Sequence, residues 1–114
     1  MISRAAKKAN NNAISIALFD AVAENGETFN SKHEAYGVLL EEWDEMVEEC
    51  GELERNMDEL RMMLRNRSDG ELIPLLKTME KRVEHAHAEM AQVAAMIKKF
   101  RHSVEIGYSR EQVE

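Results

Sequence analysis

Apolar residues recur with helical spacing in three successive stretches of this chain. In the first, Ala13, Ile14, Ala17, Leu18, Ala21 and Val22 fall on one stripe. That spacing predicts a helix over residues 4–24. Asn10, Asn11 and Asn12 weaken its beginning, because their amides compete for backbone hydrogen bonds. "ENGETFNS" (Glu24 to Ser31) reads as a turn, with Gly26 as the helix stop.

A second helix is predicted over 31–66. Ser31 and Glu34 form an S-x-x-E capping box. The apolar positions then run Leu39, Trp43, Met46, Cys50, Leu53, Met57, Leu60, Leu64, in the alternating steps of four and three that make a heptad seam. Gly37 and Gly51 each weaken this helix by about 1 kcal/mol relative to alanine, and a bend is allowed at Gly51. "RNRSDGE" (Arg65 to Glu71) is the next turn. A third helix follows over 71–106, with Pro74 in its opening turn and a second seam from Leu72 through Met79, Ala86, Met90 and Ile97 to Val104. Residues 107–114 read as a frayed tail.

Two heptad helices joined by a short turn most simply lie antiparallel. The seams support this. Met46 with Met90, Cys50 with Ala86, Leu53 with Val83 and Met57 with Met79 all keep the same sum of residue numbers. The predicted fold is therefore all-α, one domain, an antiparallel helical hairpin with an extra N-terminal helix. A chain of 114 residues buries little surface by itself, so assembly into a helical-bundle oligomer is expected.

Composition narrows the function. The net charge of -7 argues against a nucleic-acid partner held by a basic surface. No stretch approaches the ~18 consecutive apolar residues of a membrane span, so no membrane partner is expected. The single cysteine, Cys50, excludes an intrachain disulfide and favours a reducing, cytoplasmic setting. The eight methionines suit an adaptable helical core.

The candidate chemistry lies beside the seams. Glu41, Glu42 and Glu45 have the spacing E-E-x-x-E, and Glu42, Glu45, Glu49 and Glu52 make one stripe. On the third helix the matching flank carries Arg82, His85, Glu89 and Gln92. In the antiparallel register Glu52 opposes Arg82 and Glu49 opposes His85, which are complementary. Glu45 opposes Glu89, which are not. Like carboxylates repel, and one takes up a proton unless a cation intervenes. A divalent ion resolves the conflict, with Glu42 and Glu45 on one helix and Glu89 on the other as oxygen ligands. The ordinary reading is that glutamates beside a heptad seam simply solvate it. A basic rim of Lys32, His33, Lys99 and His102, with His33 meeting His102, would grip phosphates. Cations near a helix C-terminus are otherwise generic complements to its dipole. Trp43 reads as a core residue rather than a base-stacking platform.

"FNSKHEAYGVLLEEWDE" (Phe29 to Glu45) and "EMAQVAAM" (Glu89 to Met96) resemble a phage and bacterial branch of the MazG-like, all-α nucleoside triphosphate pyrophosphohydrolases. The family motif is E-E-x-x-E followed on the next helix by E-x-x-D. The first half is complete here, and the second reads Glu89-x-x-Gln92, with a neutral oxygen where the family has an anionic one. The interval between the halves is also longer than usual for the family. The resemblance covers about two-thirds of the chain. It implies a dimer or tetramer, a nucleotide substrate cleaved between its α- and β-phosphates, Mg²⁺ or Mn²⁺ as cofactor, and a bacterial or phage-infected host cell. It also implies Glu42, Glu45, Glu89 and Gln92 as metal ligands and Glu41 or Glu42 as the base. The alternative is a non-enzymatic helical interaction module, or an inactive relative of that family.

Overall fold

The structure is a computed structural model, described here for residues 1–109. It is all-helical: α1 spans Arg4–Asn25, α2 Lys32–Met63 and α3 Asp69–Ile106. Local chemistry sets the ends. Ser3 and Ser31 accept hydrogen bonds from the N–H groups of Ala6 and Glu34, capping α1 and α2. Gly26 stops α1 at φ 87°, a left-handed conformation that glycine alone adopts without strain. Gly37 and Gly51 do not break α2, which continues through both. The third helix begins two residues earlier than its apolar pattern indicates, so Pro74 lies inside it beyond the opening turn.

The chain is elongated, 66 × 29 × 23 Å, with a radius of gyration of 18.7 Å, where a compact domain of this length has roughly 13 Å. α3 packs against both other helices, and α1 packs on α3 rather than on α2. The buried cluster sits where α1 meets the end of α3: Ala17, Phe29, Ala35, Ala95 and Met96. Three of these are alanines, which let helix backbones approach closely. Ser103 ties the α1–α2 loop to α3, accepting from the Phe29 N–H at 2.9 Å and donating to the Lys99 carbonyl at 2.8 Å. The Phe29 carbonyl accepts from the Ser109 N–H at 3.0 Å, and the Thr28 and Ser109 hydroxyls are hydrogen-bonded to each other. The expected frayed tail is thus tied down through Ser109, with Tyr108 packed on the core; its residues 110–114 lie outside the described residues.

The seams need correction. On α2 the covered positions run Leu39, Glu42, Met46, Glu49, Leu53, Asn56, Leu60, and on α3 Leu75, Met79, Arg82, Ala86, Glu89, Val93, Met96. Only half of each predicted seam is among the covered positions. The other half faces solvent: Trp43 is 47% exposed, Met57 57%, Val83 55% and Met90 52%, and Cys50 is exposed too. Each helix is turned towards its charged flank. This rotation lets Glu52 meet Arg82 at 3.0 Å and Glu49 meet His85 at 3.1 Å, as the charge pattern anticipates. Trp43 is therefore not the core residue its seam position suggests.

Candidate metal and substrate site

Where α2 and α3 approach each other, carboxylate oxygens of Glu42, Glu45 and Glu89 come within 4.8 Å of one another. The i, i+3 spacing places Glu42 and Glu45 on one face of α2. Glu89 reaches them from α3. Its flank is steadied by His85, whose Nδ1 meets Glu49 and whose Nε2 lies 3.5 Å from Glu89.

The electrostatics are those of crowded acids. Burial pushes the Glu42 carboxyl above the usual carboxylate range, and the charges of Glu45, Glu89 and Glu41 push it further. Glu89 is also raised, first by burial, then by the charge of Glu45 and a hydrogen bond shared with it; His85 acts in the opposite direction. Crowding and burial of this kind favour the protonated form of Glu42 and Glu89, and a cation at the cluster would favour the ionised form instead. Three carboxylates at this separation are a hard-oxygen donor set, which fits a hydrated divalent ion such as Mg²⁺.

A cleft of about 510 Å³ opens beside the cluster, within the range typical of small-molecule sites. Glu42 and Gln92 line one part of it, and Phe29, Asn30, Glu34 and Lys99 another. Lys99 is 3% exposed, and its ammonium lies 4.5 Å from the centre of the Phe29 ring. Burial lowers its pKa from the ordinary lysine value, while the charge of Glu34 acts to raise it. The ring is itself held edge-on by Phe100 and, through its backbone, by Ser103.

The structure thus brings Glu42, Glu45, Glu89, Gln92 and Lys99 to one cleft and its margin. Glu41 is exposed beside Glu42. The expected basic rim is dispersed. His102 does not meet His33: its Nε2 lies 2.9 Å from Glu27, and it lines a separate depression shared with Lys98 and Arg101. Lys32 and His33 are exposed in the first turn of α2, outside both depressions. Conversely, Asp20, Glu24 and Asn25 of α1 line the cleft without having been singled out by the sequence. The signal available was the acidic edge of α1, but nothing local says which neighbour that edge will face.

Comparison with models of known protein families, with curated proteins and with solved structures returned no match.

Proposed function

We propose that this chain is a Mg²⁺-dependent nucleoside triphosphate pyrophosphohydrolase, converting an NTP or dNTP to the monophosphate and pyrophosphate. The observation that carries the reading is the convergence of Glu42, Glu45 and Glu89 from two helices into one ligand-sized cluster. The E-E-x-x-E and E-x-x-Q spacing and the MazG-like resemblance of the surrounding residues support it. The reading includes α2 and α3 as an antiparallel hairpin and assembly of the chain into a dimer or tetramer.

A divalent ion, or Mn²⁺ in place of Mg²⁺, would be held by Glu42, Glu45 and Glu89, with the Gln92 amide oxygen at the margin, and would neutralise phosphate oxygens. Glu42, with its raised pKa, is suited to take the proton of the attacking water; Glu41 is the second candidate. The water oxygen bonds to the α-phosphorus, the bond from that phosphorus to the bridging oxygen breaks, and pyrophosphate leaves. Lys99 gives the cleft a cation for the phosphates. His33, His102 and Lys32 are not needed for this arrangement.

Incubation with a panel of NTPs and dNTPs, with Mg²⁺ and then with chelator, tests the proposal. The expected result is pyrophosphate release from at least one nucleotide that chelator abolishes. No release from any nucleotide, together with no Mg²⁺ effect on thermal stability, would reject it and favour a non-enzymatic helical interaction module.

A further inference from the structure

Among the described residues, Lys99 is the only charged side chain that is buried. It forms no ion pair, although Asp20, Glu24, Glu34 and Glu42 line the same cleft. On the same helix Arg82 and Arg101 each hold a carboxylate, at 3.0 and 3.1 Å. The positions three and four residues from Lys99 are Ala95, Met96, His102 and Ser103, so its own helix offers it no carboxylate. A buried ammonium without a counter-charge is unfavourable unless another group takes the place of water. The Phe29 ring does so, its centre 4.5 Å from the ammonium nitrogen.

The ring is fixed from three sides. The Phe29 N–H donates to the Ser103 hydroxyl at 2.9 Å, and the Phe29 carbonyl accepts from the Ser109 N–H at 3.0 Å. Phe100 meets the ring edge-on, with centroids 6.4 Å apart. Ser103 is fully buried, and its hydroxyl donates to the Lys99 carbonyl at 2.8 Å. One hydroxyl therefore fastens the loop that carries the ring to the helical turn that carries the lysine.

We propose that Phe29 and Ser103 are positioning residues for Lys99, holding its ammonium over the ring and away from the carboxylates of the cleft, as an uncommitted cation for an entering phosphate. The inference deepens the reading above and rests on its use of Lys99 as the phosphate cation, not on hydrolysis. A carboxylate paired with Lys99 would have to be displaced by every phosphate that entered. A neutral ring carries no charge to displace, so the ammonium can bond the anion while the ring stays in place.

Pyrophosphate binding in Mg²⁺, measured by titration calorimetry on the full chain, tests the proposal. Lys99→Met should weaken binding by about tenfold or more, since a bond between two charged groups is lost. Phe29→Leu, which keeps every charge, should weaken it by roughly fivefold or more. The double variant should bind no more weakly than Lys99→Met alone, because the ring acts only through the ammonium. Ser103→Ala should weaken binding by roughly threefold. Val93→Ala loses buried packing on the same helix outside the cleft and should stay within about twofold of the native chain. Additive losses from Phe29→Leu and Lys99→Met overturn the inference, and so does native affinity in a folded Phe29→Leu. Failure of the native chain to bind pyrophosphate overturns it too. Coupled losses with no nucleotide hydrolysed would reject the hydrolase reading and keep this inference; hydrolysis with additive losses would do the reverse. A second measurement uses the native chain and stands even if the variants unfold. In the proton spectrum the Lys99 ε-methylene should lie upfield of that of exposed Lys98, shifted by the ring current of Phe29. Coincidence of the two resonances overturns the inference.

Discussion

At the scale of single residues, burial and like charges act together on the cluster. Glu42 and Glu89 have pKa values raised by the fold, so between the unfolded value, near 4.5, and the folded one the native state binds more protons than the unfolded state. Ion-free stability should therefore fall as the pH rises from about 4.5 through the folded pKa values, and level off above them. Thermal melts across pH in chelator would check this; stability rising through that window would contradict the crowding. A divalent ion acts where the carboxylates are ionised, so Mg²⁺ should raise the melting temperature more at pH 8 than at pH 5. Glu89→Gln removes one charge from the crowd. Without metal it should melt no lower than the parent chain, while pyrophosphate release falls by about 100-fold or more, since an ion ligand is lost. Equal loss of stability and activity would instead assign Glu89 a structural role.

At the scale of helices, the decisive fact is which side of each seam turns inward. Periodicity placed α1, α2 and α3 to within three residues at every end, because capping serines and Gly26 act locally. It could not choose between two overlapping stripes. Leu39, Met46, Leu53 and Leu60 belong to both, and the remaining positions can be Trp43, Cys50 and Met57 or Glu42, Glu49 and Asn56. The structure takes the second set. The ion pairs Glu52–Arg82 and Glu49–His85 accompany that choice, and Asn56 bears its cost: it is 9% exposed with a buried Oδ1 that has no hydrogen-bond partner. An unmet buried carbonyl costs about 1–3 kcal/mol. Asn56→Leu should therefore raise unfolding stability in urea by about 1 kcal/mol or more. A destabilised variant would mean that the amide is satisfied in the assembled protein.

At the scale of the whole molecule, the α2–α3 arm extends beyond the small core that α1, Phe29 and the end of α3 build. One chain has too few elements to cover both sides of that arm. If copies pair on the exposed half of each seam, folding and association are linked, and the melting temperature should climb with protein concentration between the low and high micromolar range. A melting temperature independent of concentration over that range would describe a self-sufficient monomer. Among the described residues no helix is long and apolar enough to cross a membrane.

The three helices, their approximate boundaries and the charged flank that each long helix carries are properties of residue order alone, because caps, glycine stops, seven-residue repeats and i, i+3 spacings act within a few residues of themselves. The tertiary structure decided the rest. It set the rotation of each helix about its axis, the pinning of Phe29 by Ser103 that buries Lys99 beside the cleft, the diversion of His102 to Glu27, and the exposure of Trp43. These depend on which surfaces compete for one partner, and that competition is settled only when all the helices are present together.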